Sequence, residues 1–419
     1  MTLFRRAVAV AGLAALSSTF AVAQSSPPAK QPAVKDRPMS TVDPLKTADA
    51  DMKTLLDALA SLKPKPIESL TPAEARKQPT IADAVQALLK KQGKPVGPAK
   101  DVSTRDVSIE GSAGPIPARI YTPEGASGNL PIIVYYHGGG FVIADLDVYD
   151  ATPRAIAQQA KAVVVSSHYR QAPEHKFPAA HDDAFAAYQW VLKNAQTLGG
   201  DPKRIALMGE SAGGNLAINV SIMARDRKVQ MPLHQVLVYP VAGVDMETES
   251  YKQNADAKPL NKAMMAWFVM HYLRGDQDKQ DPRIDLVGKA DVSRLPATTI
   301  VTAQIDPLRT EGERLAEKLR KAGVSERHFA NRANEKPRRG EPRRGFLRSG
   351  LDPKGFHRDE VSVFGRPGSD LLFQALRLST IGVACTRFRR HRVRCFDGTG
   401  GGSWNDGSLH ASSSLRLCG

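Results

Sequence analysis

The period of the apolar positions changes at about residue 101. Over residues 46–93 they recur at helical spacing, as in Met52, Leu55, Leu56 and Leu59 and again in Ile81, Ala84, Val85 and Leu88. That spacing predicts two amphipathic helices, split by the stretch around Pro64 and Pro66. Further along, short continuous apolar runs alternate with helical stretches. The runs at 131–136, 162–166, 204–208, 236–239 and 298–302 predict strands with no polar face, and the stretches at 152–160, 179–194, 213–225 and 309–322 predict helices between them. Strands of that kind, spaced by helices, argue for an α/β fold with a doubly wound, mostly parallel sheet covered on both faces. Residues 246–275 break the rhythm with a helix at 263–273 and read as a cap inserted over the sheet.

Both ends of the chain depart from this pattern. Arg5 and Arg6 precede an apolar run that closes on Ala21-Val22-Ala23, the order of charge, apolar core and small-residue site in an export signal over residues 1–23. The run is short for a membrane span and carries Ser17, Ser18 and Thr19, so the chain is expected to be exported, periplasmic or secreted, with no stable membrane anchor. Residues 24–45 read as a linker and 46–100 as N-terminal cap helices. The core spans 101–324. Residues 325–419 then form a tail of irregular structure, in which arginine, glycine and serine replace the earlier lysine, alanine and leucine.

Charge sharpens that boundary. The net charge of +15 brings nucleic acid or an anionic surface into consideration, but 16 arginines and two lysines stand against nine acidic residues in 325–419 alone. The core is left with a surface of ordinary charge. No nucleic acid partner is expected, because the tail has few aromatic residues and an exported chain meets little nucleic acid. Cys385, Cys395 and Cys418 all lie in the tail and are too few for a disulfide scaffold. Abrupt loss of lysine together with the strand–helix rhythm fits a segment translated in a shifted reading frame. The competing reading is a basic tail that binds anionic polymers.

Two motifs carry chemistry. His137-Gly138-Gly139-Gly140-Phe141 follows a predicted strand, and Gly209-Glu210-Ser211-Ala212-Gly213 lies at a strand-to-helix junction. A serine hydroxyl is a weak nucleophile until it stands clear of its surroundings and a base takes its proton. A sharp strand-to-helix turn presents it in that way and sets the helix N-terminus beside the developing oxyanion. The Ala212 N–H and those of two of Gly138, Gly139 and Gly140 would form the oxyanion hole. Taken alone, Ser211 fits a helix N-cap equally well, and His137 reads as an organiser of its loop. The acid expected downstream is Asp306, in Asp306-Pro307-Leu308-Arg309 after a predicted strand. An N-cap role suits it too, and Asp182, Asp183 and Asp276 are rival acids.

These motifs, with residues 169–180 (Tyr-Arg-Gln-Ala-Pro-Glu-His-Lys-Phe-Pro-Ala-Ala) and Asp306 to Gly312, resemble the hormone-sensitive-lipase-like branch of the α/β-hydrolases. The resemblance implies an α/β-hydrolase sheet with a helical cap. It also implies hydrolysis of carboxylic esters, usually of small or medium acyl groups, through an acyl-enzyme, without metal or cofactor, and makes His175 part of the scaffold. Gln171, Thr310 and Leu315 replace the family's usual leucine, aspartate and tyrosine. The family's base, a histidine about thirty residues beyond the acid in a His-Gly-Phe-like loop, is replaced by Lys336 at that spacing. His328 and His357 are the remaining candidates. If neither serves, the chain is a hydrolase lacking its base.

Overall fold

The structure is a computed structural model that describes residues 48–97 and 101–331. The predicted apolar runs become the middle of one eight-stranded sheet, built from β1 (Val102–Gly111), β2 (Gly114–Pro123), β3 (Leu130–Tyr136), β4 (Val163–Ser167), β5 (Gly200–Glu210), β6 (His234–Val238), β7 (Ala297–Ala303) and β8 (Glu326–Asn331). Strand order is β1-β2-β4-β3-β5-β6-β7-β8. Only β2 is antiparallel to its neighbours, and every pairing from β4 across to β8 is parallel. The carboxyl ends of β3, β5, β6 and β7 therefore share one edge, where ligands of open α/β sheets bind.

Successive side chains of the central strands feed two cores, as the period of two requires. Ile132, Val134 and Tyr136 of β3 join the larger core with α5 (Ala179–Asn194), α6 (Ala212–Asp226) and α9 (Arg309–Lys321). Ile133 and Tyr135 join a smaller one with Ile156 and Ala157 of α4 (Ala151–Ala160). With both faces covered, the central strands carry few exposed positions, which is why those apolar runs read as strands from sequence.

Three strands, β1, β2 and β8, lie outside the predicted runs. In β1 the residues from Ser103 to Asp106 are all exposed, because this edge strand has solvent on both sides over much of its length. At the opposite edge, β8 pairs Thr298–Ala303 with Glu326–Asn331, beyond residue 324 where the apolar pattern ends. Glu326, Arg327 and His328 hide this strand, since an edge position needs only Phe329 for its inner contact.

The N-terminal segment holds α1 (Ala50–Ser61), α2 (Pro72–Ala75) and α3 (Ile81–Lys91). Leu55 of α1 and Ala84 and Val85 of α3 form a small core of their own. Thr71 with Glu74 and Thr80 with Asp83 close capping boxes that start α2 and α3. The stretch between α1 and α3 is tied to the cap insertion, which contains α7 (Glu249–Gln253) and α8 (Lys262–Tyr272). Trp267 Nε1 donates to the Leu70 carbonyl at 3.0 Å and Asn261 Nδ2 to Glu68 at 3.2 Å. Arg76 reaches past them to the carbonyls of Val142 and Ala172, at 2.9 and 2.7 Å. Among the described residues no helix is long and apolar enough to cross a membrane.

Candidate active site

β5 ends at Glu210 and α6 begins at Ala212, so the whole reversal falls on Ser211, at φ 55° and ψ −118°. A non-glycine residue there is strained and persists only where its surroundings hold it. Close backbone contact supplies that hold: a Cβ on Gly209 would lie 2.1 Å from the Gly213 carbonyl oxygen, and one on Gly213 only 2.0 Å from that of Tyr136. Ser211 makes no side-chain cap bond to α6, which sets aside the N-cap alternative, and it stays partly exposed.

The glycine loop leaves β3 directly beside this turn. A Cβ on Gly138 would stand 3.5 Å from Ser211 Cβ and 2.6 Å from the Tyr149 hydroxyl. The loop's carbonyls are turned inward. Tyr169 Oη lies 3.0 and 3.2 Å from the carbonyl oxygens of His137 and Gly138, and the N–H groups of Val142 and Ile143 both donate to Gly139 at 3.0 Å. Among the described residues, the N–H groups of Gly139, Gly140 and Ala212 donate to no protein acceptor. Phe268 of α8 roofs this point, since a Cβ on Gly140 would lie 2.2 Å from its ring.

His137 is fully buried. Its ring stacks on Tyr169 with centroids 4.5 Å apart, Nδ1 lies 2.7 Å from the Gly138 carbonyl, and Nε2 lies 3.1 Å from His168 Nδ1. Burial pulls its pKa down to about 3, so it is a neutral brace of the loop. His175 is exposed on the Tyr169–Ala180 stretch.

Asp306 follows β7 on the same edge as Ser211. Its Oδ1 accepts the Leu308 N–H at 2.9 Å, while Leu308 occupies the N-cap position of α9 without a side-chain bond. The residue is 7% exposed, and burial lifts its pKa to about 6. Asp183 is committed elsewhere, to a two-point pair with Arg170 at 2.7 and 2.8 Å, and Asp276 to Lys279 at 2.7 Å. Three departures from the family pattern fit their places. Gln171 Nε2 donates to the carbonyls of Ile143 and Ala144, Thr310 N–H donates to Ser250 Oγ, and Leu315 is fully buried.

The two histidines fare differently. His328 lies within β8, paired across to Ile300, with Nε2 2.9 Å from Thr302 Oγ1. Its charged neighbours include Glu313 and Arg320 of α9, so it faces that helix from the middle of a strand rather than the sheet edge where Ser211 and Asp306 emerge. His357 lies outside the described residues.

Some residues of the site were missed from sequence. Glu311 lies in the first turn of α9, where an acidic residue is ordinary. In the structure it is 3% exposed, and its Oε1 accepts the Ala242 N–H at 2.7 Å. This holds the loop after β6, in which Val241 N–H donates to the Ser211 carbonyl at 3.1 Å. Burial pushes the Glu311 pKa up to about 8. The folded chain therefore holds this proton more tightly than the unfolded chain, where the value is near 4.5. Its contribution to stability is complete below about 4.5 and is lost as pH rises through about 8. Glu311→Gln removes the dependence, so wild type should lose ground to the variant between pH 5 and pH 9 by on the order of a few kcal/mol. Urea midpoints at pH 5, 7 and 9 measure it, and a difference that stays constant with pH would refute the assignment.

A family model described as the alpha/beta hydrolase fold matches residues 133–331. The chain is 42% identical over 232 residues to the carboxylesterase NlhH of Mycobacterium tuberculosis, covering 54% of this chain and 72% of that protein. It is 40% identical over 253 residues to the esterase LipI of the same species, covering 58% and 78%. Among solved structures, an esterase of Pyrobaculum calidifontis superposes with a TM-score of 0.57 at 39% identity, covering 63% of this chain and 84% of that one.

Proposed function

The chain belongs to the α/β-hydrolase family, in its hormone-sensitive-lipase-like branch, and from that premise we propose that it hydrolyses small carboxylic esters through an acyl-enzyme on Ser211. The observation that carries the reading is the juxtaposition of a strained, uncapped serine with a glycine loop whose outward N–H groups are unspent. Ser211 Oγ attacks the ester carbonyl carbon as its proton passes to a base. The oxyanion that forms is held by N–H groups of Gly139, Gly140 and Ala212, which among the described residues donate to no protein acceptor. Collapse expels the alcohol, which takes the proton back from the base, and water then repeats the sequence on the acyl-enzyme. Asp306 orients the base through the carboxylate oxygen that does not accept from Leu308.

The test is turnover of short-chain p-nitrophenyl esters combined with a fluorophosphonate label. Label recovered on the peptide containing Ser211 supports the assignment, and turnover with label elsewhere rejects it.

Of the two candidate bases, His328 is engaged within β8 and His357 lies outside the described residues, so substitution decides between them. His328→Asn should leave kcat within about threefold, because its ring is engaged by Thr302. His357→Asn should lower kcat by about 10³-fold or more if that ring serves Ser211. Unchanged Ser211-dependent turnover in the latter would remove His357 from the scheme. The family match reaches residue 331, so a shifted reading frame would begin after Asn331. Export belongs to the same proposal and rests on the order of charge, apolar run and small residues over 1–23.

A further inference from the structure

Glu210, the residue between Gly209 and the nucleophile, takes no part in the chemistry above, yet it sits at the centre of a buried phenolic cluster. Its carboxylate is 2% exposed. Oε1 accepts from Tyr135 Oη at 2.5 Å and Oε2 from Tyr239 Oη at 2.8 Å. Tyr135 stands on β3 two residues before the glycine loop, and Tyr239 follows β6, so one side chain spans three strand ends. Tyr149, whose hydroxyl lies beside Gly138, packs beside Tyr135 with ring centroids 6.5 Å apart.

A phenol O–H can give only one hydrogen bond, and a carboxylate can accept both without rearrangement. Tyr239 is held at φ 35°, an unfavourable backbone angle for a tyrosine, with its N–H 2.6 Å from the Val301 carbonyl. That geometry aims the phenol at Glu210. Two residues further, Val241 N–H donates to the Ser211 carbonyl. The strained serine is thus gripped from both sides by elements that Glu210 joins.

Resting on the reading of Ser211 as nucleophile, we propose that Glu210 is a positioning residue: by binding Tyr135 and Tyr239 together it sets the Ser211 hydroxyl against the glycine loop. Burial raises the carboxyl pKa and drives the phenols well above theirs, so Tyr135 and Tyr239 remain donors throughout the working range. The facing titratable groups are these two tyrosines and Tyr149.

Glu210→Gln keeps the shape and supplies an acceptor for only one phenol. In the full chain it should lower kcat for a short-chain ester by about 10- to 100-fold, the loss expected of a reacting group displaced by about an ångström, with KM within about twofold. Phosphonylation of Ser211 should slow in parallel. Tyr135→Phe and Tyr239→Phe should each slow both reactions, and neither should lower them further when added to Glu210→Gln. A folded Glu210→Gln with wild-type kcat and phosphonylation rate overturns the proposal, as does full additivity with the phenylalanine variants. If Glu210→Gln does not fold, the two phenylalanine variants decide, and unchanged rates in both overturn it. Loss of the whole reading looks different: wild type would then turn over ester or take the label without modification at Ser211.

Discussion

Alanine at position 211 is expected to lower kcat for a short-chain ester by about 10⁵- to 10⁶-fold, with KM little changed. The change removes one oxygen and nothing else, because alanine keeps the Cβ and the serine hydroxyl caps no helix N–H. The turn at φ 55° is imposed by Gly209, Gly213 and the β3 backbone, not by the hydroxyl. The fold should therefore survive, and the unfolding midpoint should hold or rise slightly, since catalytic groups are rarely chosen for stability. What remains is the hole formed by Gly139, Gly140 and Ala212, which can still stabilise an oxyanion formed by attack of water. Such residual catalysis amounts to about 10³- to 10⁴-fold over the uncatalysed reaction. The decisive comparison is kcat per folded molecule with fluorophosphonate labelling in the same preparation. Turnover that persists at wild-type level in a folded variant would remove Ser211 from the scheme.

What made the elbow legible in sequence was backbone crowding. Gly209 and Gly213 are irreplaceable by contact with backbone atoms, so the motif survives as letters in the chain. Asp306 was legible by position, because parallel order brings the turn after β7 to the same edge as the turn after β5. Glu210 and its phenols were not. Tyr135, Tyr149 and Tyr239 come from three separate segments, and nothing local marks a tyrosine that will meet a distant carboxylate. A signal did exist in retrospect: Glu210 ends a strand that is apolar from Ile205 to Met208, where a charged residue needs a buried partner. Glu311 was hidden for the opposite reason, since a glutamate in a first helical turn is ordinary enough to need no other explanation. β8 was hidden because an edge strand keeps only part of its apolar pattern, and this moved the apparent end of the core forward of Asn331.

Asp306→Asn should lower kcat by about 10⁴-fold, although the two side chains are nearly the same size. The asymmetry comes from the bond already in place. Oδ1 of Asp306 accepts the Leu308 N–H at 2.9 Å, and an asparagine can keep that bond only by turning its own oxygen toward Leu308. Its amide nitrogen then faces the base as a donor. A histidine that gave its Nδ1–H to the aspartate would have to present a lone pair there instead, moving its proton to Nε2. That nitrogen could no longer accept the proton of Ser211, so the base would be held in the wrong tautomer. Stability should move the other way. Burial raises the Asp306 pKa to about 6 from an ordinary 3.8, so its contribution to stability is complete below about 3.8 and lost as pH rises through about 6. The neutral amide is spared that loss, and at pH 8 the variant should unfold at the same urea concentration as wild type or a higher one. A residue that merely shaped the turn before α9 would tolerate asparagine, which accepts from a backbone N–H as aspartate does. Wild-type kcat in a folded Asp306→Asn would therefore return Asp306 to that structural role, whereas loss of turnover with stability retained places it beside the base.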